Sequence, residues 1–163
     1  MDRAERICRA HLYVRSSHLK RYRQRRSRYE IPIGNGLFSS RDVPCNSHFV
    51  YFVGELLTDP VEIRKRSAQS DRGGYIVGNA TKTAALDCYE TSIREKCLAS
   101  MLNSPFECYH TTCDRPAYDN ARLTYKAWGK GHYQWGLMSK KTIPAHEEVL
   151  WNYGASYIYP TFD

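Results

Sequence analysis

From Ile31 onward the chain never sustains a long periodic segment. It runs in short stretches rich in β-branched and aromatic residues, each closed by turn chemistry. "HFVYFVGELL" is a strand pattern broken at Gly54, and "DRGGYIVGNATKTAALDCY" reads as two strands, Tyr75–Val77 and Ala84–Asp87, joined by a turn holding Gly78 and Asn79. "NARLTYKAW", "WGLMSKKTI" and "EEVLWNYG" read as further strands, while "VEIRKRSAQ" and "SIREKCLASML" are the helical pieces expected in the body. No internal repeat is read. Such a texture predicts one mostly-β domain of many short strands. At 163 residues the chain suffices for one domain with a real core and not comfortably for two.

Charge divides the chain. Residues 1–30 hold ten Lys/Arg against three Asp/Glu, and the remaining residues hold fourteen of each, so the whole net charge of +7 sits at the N-terminal end. The expected organisation is a basic arm over 1–30, disordered or helical, and a folded body over 31–163. Residues 1–13 are read as a short helix with Ile7, Leu12 and Tyr13 on one side. The run "RSSHLKRYRQRRSRY" is in the first instance a solvated arm. Its sharper reading is phosphate contact through Arg21, Arg23, Arg25, Arg26 and Arg28, which binds nucleic acid without reading sequence. A transit peptide is a third reading, opposed by Asp2 and Glu5.

Six cysteines stand at 8, 45, 88, 97, 108 and 113 without a tight framework, and the start is too charged for a secretory signal. No run approaches the ~18 apolar residues of a membrane span. The expectation is therefore reduced thiols in an intracellular protein without membrane contact. The six histidines lack metal spacing. Cys108, His110 and Cys113 offer no evident fourth ligand, and no metal is assigned.

The pair Gly34-Asn35-Gly36 invites a nucleotide-cradle reading. A dinucleotide fingerprint requires a third glycine three positions later and a following helix, but Ser39 stands there in a strand-like context. Taken alone, the pair is a plain turn. It is followed in order by "FVGEL" (52–56), "LDCY" (86–89), "ASMLNSP" (99–105), "DNARL" (119–123) and "IPAHEEVLWNYG" (143–154). That ordered set resembles the SET domain of protein lysine methyltransferases over roughly residues 31–157. It departs from the family where His-Ser-Cys is replaced by Ser104-Pro105, where a longer insert occupies 104–119, and in lacking flanking zinc-binding cysteine modules.

The resemblance implies a β-clip type of fold: several small sheets, few short helices, and a C-terminal pseudoknot in which Asn152–Tyr157 passes through a loop of the "ASMLNSP" region, bringing Asn103 to Tyr153. It implies S-adenosylmethionine as cofactor, held by Asn35, Gly36, Leu37, Asn103, Ser104 and Tyr153. Tyr153 takes the place of the terminal catalytic tyrosine and Tyr75 that of a second channel tyrosine. Trp151 stands where the family carries Phe, Tyr or Trp, so no hydroxyl there enforces monomethylation. The chemistry is an in-line displacement by a lysine amine on a methyl sulfonium. It needs alignment, a neutral amine from a group whose ordinary pKa is ~10.4, and exclusion of water. An aromatic channel lowers the amine pKa by desolvation and accommodates the cation that follows. Glu55 and Asp87 are read as structural acids that cap a turn or bond backbone amides.

The implied activity is methylation of a protein lysine, a histone tail first and a non-histone protein second. The location is nuclear, with cytoplasmic as the alternative, and DNA lies along the basic arm. A rival of a different class is a SET-like module that binds chromatin or nucleic acid without catalysing. A small RNA-binding β protein would need exposed aromatics among basic residues, and only Tyr22 and Tyr29 of the arm supply them. Target lysine, degree of methylation and oligomeric state are not encoded in any motif found.

Overall fold

The computed structural model describes residues 11–18, 20–22, 30–32, 34–69, 72–79, 81–93, 97–101, 119–129 and 131–153. The expectations placed on Asn103, Ser104, Arg23, Arg25, Arg26, Arg28 and the Cys108/His110/Cys113 group lie outside these residues. So does most of the expected pseudoknot.

Described strands are β1 (Leu12–Ser16), β2 (Lys20–Tyr22), β3 (Glu30–Pro32), β4 (Asn35–Ser39), β5 (His48–Tyr51), β6 (Glu55–Leu57), β7 (Ile76–Gly78), β8 (Ala85–Asp87), β9 (Ala121–Gly129), β10 (His132–Ser139) and β11 (Glu148–Val149). They form small antiparallel sheets ordered β1-β4-β11, β5-β10-β9, β6-β8-β7 and β2-β3. The helices described are α1 (Pro60–Ser67) and α2 (Tyr89–Ile93), with 3-10 turns at Gly73–Tyr75 and Leu98–Met101. The mostly-β architecture of small sheets and few short helices is thus as expected. The start of α1 is legible in its residues: Asp59 caps it by accepting the Val61 amide at 2.9 Å, and Pro60 occupies the first turn, where no amide is needed.

Two expectations need correction near the N-terminus. From Leu12 the predicted helix is instead strand β1, paired with β4 from Leu12↔Ser39 to Ser16↔Asn35. Alternating Leu12 and Val14 with Tyr13 between them suits an edge strand, and helix propensity yields to that tertiary pairing. The boundary between 30 and 31 runs through β3, whose partner β2 carries the backbone of Arg21. β1 also covers the central strand. Tyr13 stacks on Phe38 with ring centroids 5.7 Å apart, Arg15 lies over the same ring at 4.9 Å, and His18 meets its edge at 4.9 Å. Phe38 is fully buried as a result.

The third correction concerns repeats. Residues 36–51 and 136–151 form the same strand–hook–strand unit twice, and the units pair crosswise: β4 with β11, β10 with β5. Where the hooks meet, Val43 and Ile143 exchange both backbone hydrogen bonds, at 2.8 and 2.9 Å. Asn46 donates to the Ser139 carbonyl at 3.0 Å, as His146 does to the Ser39 carbonyl at 2.7 Å. Both hook residues hold left-handed backbone, with φ of 58° and 66°. Gly36/Gly136, Leu37/Leu137, Ser39/Ser139 and Pro44/Pro144 are identical, and most other pairs keep only size or polarity. The matched residues lie too far apart and are too few for the repeat to stand out by eye.

The main core gathers Leu37, Val43, Phe49, Val50, Leu137, Ile143 and Val149 from both units, with Trp135 just ahead of the second, so the crosswise hook is also the centre of the apolar packing. No helix among the described residues is long and apolar enough to cross a membrane.

Candidate functional site

The terminal segment is placed by two neighbours in succession. Val149 pairs with Leu37 and Glu148 with Phe38, so β11 begins against the strand that carries Gly36. The chain then leaves β4, and Trp151 bridges in parallel to Ala121 at the start of β9. Asn120 manages the transfer. Its Nδ2 donates to the Glu148 carbonyl at 2.8 Å, its Oδ1 accepts the Leu150 amide at 2.8 Å, and its own amide donates to the Leu150 carbonyl at 3.1 Å. A side-chain amide offers donor and acceptor together, so Asn120 substitutes for a stretch of strand.

Held this way, the terminal aromatics meet. Trp151 and Tyr153 lie edge to face with centroids 5.2 Å apart, and Phe52 meets Trp151 edge-on at 5.7 Å. Trp151 and Tyr153 are both half-buried. Tyr75 stands at the end of its 3-10 turn and packs, like Trp151, on the margin of the main core. Its ring meets Tyr89 edge-on at 5.5 Å. The structure therefore unites Trp151 with Tyr153, and places Tyr75 in a second aromatic pair bordering the same core.

The glycine strand divides by residue. Gly34 has φ of 106°, its carbonyl accepts the Ser17 amide at 2.8 Å, and it has open space where a side chain would stand. Asn35 is exposed, while Leu37 is fully buried in the core. The space before Gly36 is filled from within. A Cβ there would lie 2.3 Å from Oε1 of Glu148. That carboxylate is itself buried and accepts Ser17 Oγ at 2.7 Å and the His18 amide at 2.8 Å. At the equivalent position of the second unit, the Tyr51 ring fills the space before Gly136.

Beside Tyr75 lies a buried charge centre. One oxygen of Asp87 accepts from Arg66 and from Arg72, each at 2.8 Å, and the other accepts the Tyr89 amide at 3.1 Å. Burial alone would push this carboxyl up. The hydrogen bonds from Arg66, the Tyr89 amide and Arg72 outweigh it and hold the group below its ordinary range. Arg66 also bonds Glu55 and Glu62, at 2.6 and 2.7 Å, and its hydrogen bond draws the Glu55 carboxyl down as well. Nearby, Cys88 and Cys97 are fully buried. The hydrogen bond from Cys88 pulls the Cys97 thiol down against the effect of burial, helped by the Val53 amide at 3.3 Å. Among the described residues no group of three His, Cys, Asp or Glu could hold a metal ion.

Phe52, Tyr89, Asn120 and Glu148 also belong to the site. Each lay inside a quoted motif, but which partner it meets depends on long-range pairing. Only Asn120 carried a local signal, a turn-forming Asp-Asn ahead of a strand pattern.

No family model matches the chain, and no curated protein matches it. Solved structures do. The chain is similar to one of an apo ctPRC2 with two substitutions in Ezh2, at 17% identity and a TM-score of 0.58, over 93% of this chain and 16% of that one. It is also similar to humanized mutants of the Chaetomium thermophilum Polycomb Repressive Complex 2 bound to the inhibitors GSK126 and GSK343. For these the identities are 16% and 17% and the TM-scores 0.56 and 0.57, over 93% of this chain and 15% and 16% of theirs. The chain thus spans about a sixth of the length of those chains. At such identity the likeness is one of fold, and the fold of this chain is mostly β and SET-like.

Proposed function

We propose that the chain is an S-adenosylmethionine-dependent protein-lysine N-methyltransferase acting on a histone tail in the nucleus. The observation that carries this reading is the terminal aromatic group: Trp151 in contact with both Tyr153 and Phe52, on a segment that starts out paired to the glycine strand. The likeness to chains of Polycomb Repressive Complex 2 supports a chromatin substrate. Tyr153 presents a phenol oxygen for electrostatic and weak C–H···O contact with the reacting methyl. Trp151 and Tyr75 wall the lysine channel, and their rings favour the uncharged amine by excluding water.

S-adenosylmethionine, when bound, supplies a methyl group on a sulfonium. The residues present suit it in part. Gly34 has open space where a side chain would stand and Asn35 is exposed, which leaves room for its amino-acid end, whereas the space before Gly36 is occupied by Glu148. Leu37 contributes through its backbone, and Asn103 and Ser104 complete the proposed cradle. The filled space at Gly36 is also what favours the second reading, a SET-like module that binds chromatin without catalysing.

Incubating the full chain with radiolabelled S-adenosylmethionine and nucleosomes, then locating modified lysines by mass spectrometry, separates the two. Labelled histone lysine is expected. Nucleosome binding with neither label nor cofactor affinity would establish the binding module instead.

A further inference from the structure

Tyr75 is fixed by a closed chain of contacts. Its backbone amide donates to the Arg72 carbonyl at 2.9 Å, and its carbonyl accepts the Cys88 amide at 3.0 Å. The Arg72 side chain folds back from the start of that 3-10 turn. Its Nε donates to Asp87 at 2.8 Å, and its guanidinium lies over the Tyr89 ring, 5.2 Å from the centroid. Tyr89 is held at its own amide by the same Asp87 and turns its ring against the edge of Tyr75. Asp87 therefore anchors both the cation and the ring that the cation covers. Arg66, which shares the Asp87 oxygen, is also tied to Glu55 and Glu62.

We infer that Arg72 is a positioning residue: clamped by Asp87 and laid across Tyr89, it sets where the Tyr75 ring stands. This rests on the reading of Tyr75 as a wall of the lysine channel. A planar guanidinium can bond a carboxylate through its edge while covering a ring with its face, which an ammonium cannot do. The arrangement makes the Tyr75 ring respond to a residue that touches no substrate. In a channel one lysine wide, ring placement governs how many methyl groups fit beside the amine, and small misplacement costs rate heavily.

The test uses the full chain with 13C-labelled tyrosine, the Tyr75 ring signal being assigned by its loss in Tyr75→Phe. Three variants are compared. Arg72→Lys keeps the charge beside Asp87 and loses the planar cover. Tyr89→Leu leaves the Arg72–Asp87 pair intact and removes the intervening ring. Tyr89→Phe keeps the ring and serves as the conservative rescue. The Tyr75 signal is expected to shift in the first two and to return to its wild-type position in the third. Lysine methylation should follow the same order. In Arg72→Lys and Tyr89→Leu, kcat should fall about tenfold to a hundredfold, the proportion of mono- to higher-methylated product should change, and KM for the protein substrate should change little. An unmoved Tyr75 signal in both variants overturns the inference, as does a displaced ring with unaltered rate and product ratio. If wild type itself transfers no methyl group, the enzyme reading fails, and the ring signal alone then decides whether Arg72 positions Tyr75.

Discussion

Single residues at this site are chosen by what stands opposite them. Gly36 lacks a side chain because the Glu148 carboxylate occupies its space, and Glu148 is tolerated in the interior because Ser17 and the His18 amide bond it. Gly36→Ala must push that carboxylate off its donors, at a cost of about 1–3 kcal/mol by the usual penalty for stranding a buried polar group. In a Glu148→Ala background the same substitution no longer meets the carboxylate, so its cost there should be clearly smaller. Urea denaturation of the four chains of this cycle measures the difference, and equal costs in both backgrounds would show that the two residues do not interact. Tyr153 calls for a different measurement. Its ring packs on Trp151, and Tyr153→Phe preserves that contact while removing the oxygen. Turnover should drop by about two orders of magnitude, as when a catalytic donor is deleted, with thermal stability close to wild type; undiminished turnover would take the phenol out of the mechanism.

Elements show why some of this was readable from residues and some was not. α1 announces itself through Asp59 and Pro60, and β5 and β6 through a β-rich run cut at Gly54, because those signals are local. β1 is masked in the sequence by the neighbouring basic run, and its strand character depends on Phe38 needing a cover. The hook repeat is hidden for a related reason: crosswise pairing constrains backbone shape more than side-chain identity, so Asn46 and His146 share a left-handed turn without sharing chemistry. Asp87 was read as a structural acid, and its bond to the Tyr89 amide fits that reading; the two arginines that also hold it come from separate segments no spacing rule connects. This charge centre joins α1, the Gly73–Tyr75 turn and β8, and it gives the fold a predictable acid response. A carboxyl held below its ordinary pKa contributes stability at neutral pH, and that contribution is lost as pH falls from the unfolded value, ~3.9, through the lower folded one. Arg72→Gln removes one of the two cations and should destabilise the chain at pH 7 by about 1–3 kcal/mol. As pH falls below ~4 and Asp87 takes up its proton, the gap between variant and wild type should narrow. Denaturation midpoints measured from pH 7 to pH 2.5 check the sign, and a gap that widens in acid would mean Asp87 is not the group responsible.

At the level of the whole molecule, the basic end of the chain is at once a charge reservoir and a structural part. Residues 31–163 carry no net charge, so long-range attraction to nucleic acid must come from the first thirty residues. Yet Leu12–Ser16 is a strand of the β1-β4-β11 sheet, and Tyr13, Arg15 and His18 bury Phe38. Cutting the chain at residue 30 would expose that ring, worth about 1.5–3 kcal/mol, and would strip Glu148 of both its described donors. A loss of DNA affinity after such a cut could then arise from unfolding. The informative variant keeps the chain whole and replaces Arg23, Arg25, Arg26 and Arg28 with glutamine, leaving Arg15 on its ring. If those arginines contact phosphates, each one removed should lower the slope of log affinity against log salt by up to about 0.9 for duplex DNA, and affinity should fall similarly for unrelated sequences. Stability is followed alongside, so that affinity lost through unfolding is told apart from affinity lost with a phosphate contact. Fluorescence anisotropy across a salt series, with a melting curve on the same samples, reads both quantities. An unaltered slope would take these four arginines out of the nucleic-acid contact and leave Arg21 and the other remaining cations to account for whatever counterion release persists.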